Sequence, residues 1–467
     1  MSRPMNLLDR SVPPWKVILM LAWPTIVEQL LQTAVNYVDT AMVGSMGAGA
    51  TNATAAIGVS TSTIWLIMGV MQAVGVGFSV IVGRRIGEGK LEDARAAIRQ
   101  AVLCILVVGL AITAVVQVLV APNLARWMGA DAAVQPIAQT YMHIIGAVYL
   151  FNTALVVCSS ILRCSGDTKT PMRFNIMTNM INVALNFFLI YPTRPVTLLG
   201  ATFTIPGAGL GVAGAAAATA AATVFSGSCM FFALFRSDSP VGISLRDTFR
   251  FDRDIIRQAV GLGVPAGLER ATISVGQMVM TALISGCGTV ALSANQLANT
   301  GESLCYMPVF GFSIAATTLV AQSLGAGEKD LAYRYSQWCY YLSVAVMLVT
   351  STAMFVFAPQ IMDLFIDDPE VIKLGAQMLR IEAFAEPLLA IGTVAGGIFR
   401  GAGDTRWPFY ISIAGMWVVR VTMAVILIKI FHWGLAAVWV AMAFDWLART
   451  VISLVRFYRK KWMSAWA

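Results

Sequence analysis

Charge is what this sequence has least of. Only 12% of its 467 residues are Asp, Glu, Lys or Arg, about half the usual share for a soluble domain. That excludes a water-exposed globular chain, because so few charges cannot cover its surface. Histidine is nearly missing, with His143 and His432 alone, too few for a histidine metal centre. Seven cysteines are scattered with no C-x-x-C. Most fall in apolar runs, where a thiol acts as a small buried apolar group. No nucleophile elbow, phosphate loop or metalloprotease helix occurs. An enzyme and an ATP-driven machine are not expected, and no cofactor is implied.

What is present is apolar residues, at 58% with mean hydropathy +0.74. They gather in runs near 16–43, 53–83, 95–120, 133–162, 171–191, 208–236, 255–286, 291–323, 332–357, 370–399, 407–430 and 433–457. Runs of about 20 apolar residues span a bilayer as helices. The fold class predicted is an all-α polytopic membrane protein with about twelve transmembrane helices. The opening MSRPMNLLDRSVPP is short and polar with Arg3 and Arg10. It is expected to be a cytoplasmic stub and not a cleaved leader.

The cations sort by side. One set of loops holds about 24 Lys and Arg and the other about 4, which places the first set and both termini in the cytoplasm. The net charge of +8 is then a topology signal, and the cations are too dispersed to suggest nucleic acid. Trp15, Trp127, Trp433, Trp462 and Trp466 stand at span ends as interface anchors.

The chain repeats itself. ILRCSGDTKTP at 161–171 returns as IFRGAGDTRWP at 398–408. VGRRIGEG at 82–89 returns as AQSLGAG at 321–327, aligning Gly87 with Gly325. WPTIVEQLL at 23–31 returns as VPAGLERAT at 264–272, aligning Pro24 with Pro265 and Glu28 with Glu269. Matches in constant order mean two six-helix halves, and an even number makes the repeats parallel. The domains expected are an N-lobe over 1–235, a cytoplasmic linker over 236–254 and a C-lobe over 255–467, with a central cleft. The GDT loops read as turns with an Asp cap.

Polar residues inside the spans are the candidates for function. Glu28, Gln32, Asn36 and Asp39 are spaced 4, 4 and 3 and share a helix face. Glu382 and Glu386 share a face of the tenth span, and Pro387 should break that helix and free carbonyls. Asn295, Asn299 and Glu302 form a similar stripe on the eighth. Arg270, Arg380, Arg420 and Arg449 could neutralise C-lobe acids, with Asp445–Arg449 the simplest pair. Tyr37, Trp65, Gln72, Gln277 and Met278 are candidates for a substrate cavity. The 24 methionines suit a promiscuous surface but are also ordinary filler.

With the 6+6 arrangement, Pro24-x3-Glu28, Asn36-x2-Asp39, MVGSMG and the paired GDT loops, the chain resembles the multidrug and toxic compound extrusion (MATE) family over about 16–458. The resemblance implies an antiporter exporting organic, often cationic, compounds in exchange for H⁺ or Na⁺; a monomer in the inner or plasma membrane is expected. It implies that Asp39 is the N-lobe coupling acid with Asn36 as hydrogen-bond partner. Where some members carry Asn-x3-Asp on the fifth helix, this chain has Asn182-x3-Asn186. Asn186 could still bond Asp39 or lend an oxygen to an ion. The family's C-lobe cation region falls near Glu269, Glu382 and Glu386, about one turn from the family positions. A flippase of lipid-linked precursors shares this architecture. It predicts a strongly cationic cavity, whereas the N-lobe charges here are mainly acidic.

Overall fold

The computed structural model describes residues 7–45, 50–198, 201–235, 242–244 and 246–464. The first half runs through α1 (Pro14–Gly44), α2 (Ala50–Gly87), α3 (Leu91–Val115), α4 (Ala121–Trp127), α5 (Gln135–Ala147), α6 (Tyr149–Cys164), α7 (Lys169–Leu189) and α8 (Val212–Ala233). The second runs through α9 (Arg253–Ser285), α10 (Thr289–Gly325), α11 (Lys329–Val356), α12 (Ala358–Asp363), α13 (Pro369–Ala383), α14 (Glu386–Gly401), α15 (Arg406–Ile413), α16 (Thr422–Lys429) and α17 (Leu435–Tyr458).

Among the described residues, eight continuous helical segments are long and apolar enough to cross a membrane. Two bent pairs, α5–α6 at 52° and α13–α14 at 56°, each make one broken span. α7 and α9 complete the twelve; their polar residues dilute their hydropathy. The α13–α14 break lies at 384–385, just before Pro387 in the first turn of α14, a residue that cannot donate a helix hydrogen bond back across the break. The N-lobe bend at Val148 occupies the equivalent repeat position without a proline.

The segment 191–207, expected only as a loop, folds into β1 (Pro192–Leu198) and β2 (Ala201–Ala208), antiparallel with Val196 opposite Phe203. Its Thr, Val, Ile and Phe residues favour strands, and the span-finding pattern takes no account of so short a hairpin.

The two first helices cross between lobes. Val17, Ile18, Leu21 and Ala22 of α1 pack in the C-lobe core with α10, α11 and α14. Farther along the same helix, Val43 packs with Ile190 and Val212 of the N-lobe. α9 does the reverse. Ala259 and Leu262 join the N-lobe core, while Met280 and Ile284 join the C-lobe core. Pro24 and Pro265 lie at these crossings and both helices run on through them.

On the basic side the lobes meet through reciprocal glycines. A Cβ on Gly87 would stand 2.0 Å from the Gln322 carbonyl oxygen, and one on Gly325 would stand 2.2 Å from that of Arg84. Gly77 and Gly263 do the same between α2 and α9, at 2.5 Å from the Ala259 oxygen and 2.6 Å from that of Ala73. Gln322 Nε2 seals this seam by donating to the Cys164 carbonyl of α6 at 2.8 Å.

Candidate functional site

The polar face of α1 divides in two. Glu28 is buried; Arg163 Nη2 and Asn175 Nδ2 both donate to its Oε1 at 2.5 Å. Asp39 lies about 16 Å farther along the helix at 1.5 Å per residue. Asn186 Nδ2 donates to Asp39 Oδ1 at 2.6 Å. With the Asn182 amide oriented to suit its neighbours, its Nδ2 donates to both Asp39 oxygens at 3.0 and 3.1 Å, and its Oδ1 accepts from Thr219 at 3.1 Å. Asp39 is thus half-buried in a cradle of two asparagines from α7, with no cation paired to it among the described residues. The Oδ1 of Asn186 is buried with no hydrogen-bond partner.

Several expectations are corrected here. Asn36 sits on the exposed side, where Gln32 Nε2 donates to its Oδ1 at 3.4 Å. The bonding seen at Asp39 comes from Asn186 and Asn182, one helix away, because a neighbour at i−3 points along α1 while α7 faces it. Glu28 is not beside Asp39; it forms a buried ion pair. Asp39 and Glu28 share a face but not a site.

Arg163, missed as a site residue, lies in the repeated stretch that opens the GDT loop. Its repeat mate Arg400 does the equivalent work in the C-lobe, donating to both oxygens of Glu269 at 3.1 and 3.3 Å. Glu28–Arg163 and Glu269–Arg400 are therefore one ion pair built twice, each tying a lobe's first helix to the end of its fourth span. Glu269 belongs to this tie and not to the acid cluster farther along the lobe.

That cluster gathers Glu302, Glu382 and Glu386, all buried. Both oxygens of Glu382 lack hydrogen-bond partners among the described residues, while the Cys305 thiol of α10 stands beside Glu386. The 56° break places Glu382 at the end of one helix and Glu386 at the start of the next, so both project into the lobe. Asn299 does not join them. It is exposed and donates to the Asn295 carbonyl at 2.8 Å, while Asn295 Oδ1 accepts from Trp439 at 3.0 Å. The stripe on α10 is wide enough for one end to face out and the other in.

Arg449 and Asp445 pair at 2.5 Å, the contact expected from their spacing, and Arg420 approaches Asp445 at 3.8 Å. Arg420 lies in a π-helical stretch, Ala414–Val421, whose wider turn brings Gly415 against Asp445. The arginines are occupied by Asp445, and the three glutamates have no direct ion-pair partner among the described residues. The GDT loops differ from each other. Asp167 accepts from the Thr170 N–H at 3.0 Å as a cap, whereas Asp404 accepts from Arg456, in the last turn of α17, at 2.8 Å in an ion pair.

Of the cavity candidates, Tyr37 donates to the Thr300 carbonyl at 2.9 Å and meets Ser303 at 2.6 Å, joining α1 to α10. Trp65 is half-exposed beneath Arg270, whose guanidinium carbon is 5.6 Å from its ring. Gln72, Gln277 and Met278 are exposed.

The MatE family profile matches residues 24–188 and 265–426. The chain belongs to the MatE family. In this MatE chain the two matched segments begin at the repeat mates Pro24 and Pro265. It is 26% identical to a Thermotoga maritima protein named probable multidrug resistance protein NorM, over 96% of this chain and 93% of that one. It is 28% identical to multidrug resistance protein MdtK of Yersinia pseudotuberculosis, over 88% and 87% of the two chains. Among solved structures, a MATE in the straight conformation superposes with TM-score 0.87 at 24% identity, covering 100% and 99% of the two chains. The outward-facing conformation of a multidrug resistance MATE family transporter matches with TM-score 0.87 at 23% identity, covering 99% of each. These likenesses carry the twelve-helix, two-lobe fold.

Proposed function

We propose that this protein is a secondary active multidrug antiporter of the inner or plasma membrane, with both termini cytoplasmic. It exports organic, often cationic, compounds in exchange for H⁺ or Na⁺ by alternating access. The observation that carries this reading is Asp39, a membrane-embedded carboxylate held by Asn182 and Asn186 without a paired cation. A carboxylate within a span is costly, roughly 2.5–3.5 kcal/mol on insertion scales, and marks function. An acid with amide neighbours offers oxygen to a cation or a seat to a proton.

Asp39 sits on the helix whose two ends pack in opposite lobes. Occupancy there alters the packing of the N-lobe half of α1 while the other half stays in the C-lobe. An ion or drug shifts the two-state equilibrium only through its different affinity for the two states, and α1 touches both lobes. The C-lobe acids Glu302, Glu382 and Glu386 are the second candidate coupling site. The relatives named for multidrug resistance support the substrate class.

The test is efflux of a fluorescent cationic dye from proteoliposomes under separate pH and Na⁺ gradients. Asp39→Asn should insert and fold normally yet export at background. Wild-type export by Asp39→Asn sinks the N-lobe account. No dye movement by the wild type under either gradient favours a lipid-precursor flippase.

A further inference from the structure

The described part of the linker, 242–244 and 246–254, is docked as a strap. Ile243, Phe249 and Ile255 tuck into the N-lobe core. Gln100 of α3 fastens it from below, donating to the Arg250 carbonyl at 2.6 Å and accepting from the Asp252 N–H at 3.0 Å. Between strap and helix lies a groove of about 410 Å³, whose lining includes Arg99, Gln100, Arg250, Asp252 and Arg253.

Its charges are unequally matched. Arg99 is paired with Asp247 at 3.3 Å. The Asp252 carboxylate accepts from the Asp254 and Ile255 N–H groups as the cap of α9. Arg250 and Arg253 are exposed and form no ion pair among the described residues. A groove with three arginines and one occupied carboxylate is complementary to an anion.

The helices beneath supply the second observation. On α9, Arg253 and Arg257 continue into exposed Val260, Val264 and Leu268 at spacings of 3 and 4. On α3, Arg99 shares its face with exposed Leu106 and Leu110. Exposed Phe251 stands at the rim. Arginines directly above apolar stripes, on the basic side, match a phosphate headgroup above its acyl chains.

We infer that this groove binds a phosphate group, carried by an anionic glycerophospholipid of the cytoplasmic leaflet. The lipid bridges α3, the strap and the first turns of α9, the part of that helix that packs in the N-lobe. It would fasten the strap to the N-lobe where the chain enters the first helix of the second half, and make turnover depend on lipid composition.

The experiment measures binding of headgroup-labelled phosphatidylglycerol and phosphatidylcholine to the full purified chain in detergent. Phosphatidylglycerol should bind the wild type selectively. Arg250→Gln/Arg253→Gln should weaken it about thirtyfold, at roughly a kilocalorie per juxtamembrane arginine. Arg250→Lys/Arg253→Lys should restore most of the affinity, which separates lost charge from a damaged strap. Arg459→Gln/Lys461→Gln, on the same basic face elsewhere, should change little. Equal losses from both double Gln substitutions mean diffuse attraction and overturn the site, as does unchanged binding by Arg250→Gln/Arg253→Gln. Displacement of the lipid by equimolar inorganic phosphate keeps the phosphate site and overturns the lipid as its source.

Discussion

Arg163 reaches Glu28 at 2.5 Å, and their repeat mates Arg400 and Glu269 meet in the same way at 3.1 Å. Duplication preserved the contact although the surrounding side chains diverged. Breaking a buried pair from one side leaves an uncompensated charge, at a cost of about 3–5 kcal/mol. Arg163→Met should therefore lower the thermal midpoint in detergent sharply, and Glu28→Gln/Arg163→Met should recover much of the loss. Arg400→Met should cost less, because the second pair is more exposed. A double variant no more stable than Arg163→Met sinks this account.

The Asn186 amide is a charge-assisted donor to Asp39. Removing it should cost about 1.5–3 kcal/mol and disorder the carboxylate. Asn186→Ala should cut gradient-driven dye efflux strongly while membrane insertion is unchanged. Asn36→Ala should be much milder, because Asn36 is exposed and the bonds seen at Asp39 come from α7. Equal loss in both would return Asn36 to the site.

Gly87 and Gly325 let α2 and α10 cross at backbone contact on the basic side. Neither position has room for a side chain, since the opposing atoms are main-chain carbonyls. Gly87→Val and Gly325→Val should each prevent that approach and hold the basic face open. Cysteines placed at 84 and 322 should cross-link in the parent and not in either variant. Efficient cross-linking in the variants would show the seam tolerates them.

Asp247 is the pH-sensitive fastening of the strap. The Ser244 N–H above all, with help from Arg99, holds its carboxyl below the ordinary 3.8 against an opposing effect of desolvation. A depressed carboxylate contributes stability above its unfolded value and loses it as pH falls through the native one. The strap should stay docked from neutral pH down to about 4 and loosen below. Asp247→Asn should loosen it at pH 7, read as faster tryptic cleavage at Arg250. A cleavage rate equal to wild type would remove Asp247 from this role.

Much of this could be read along the chain. Twelve apolar runs, interrupted by basic loops, require helices because a lipid-embedded backbone must bond to itself. The internal repeat carries the 6+6 division and pairs Glu28 with Glu269 and Arg163 with Arg400. Pro387 was consistent with the break in the tenth span, although Pro24 and Pro265 leave their helices continuous. These are local or periodic properties, and a linear sequence carries them directly.

Which carboxylate meets which partner was decided by the tertiary structure. Helical spacing put Glu28 and Asp39 on one face, but the fold gave one an arginine from α6 and the other two amides from α7. Asn299 and Glu302 share a stripe, yet packing buries only the second. Nothing in the order of residues states that α1 and α9 each leave half their length in the opposite lobe. Burial, charge neutralisation and contact across the seam depend on the rotation and tilt of whole helices. Those are fixed only when every apolar face finds its neighbour at once.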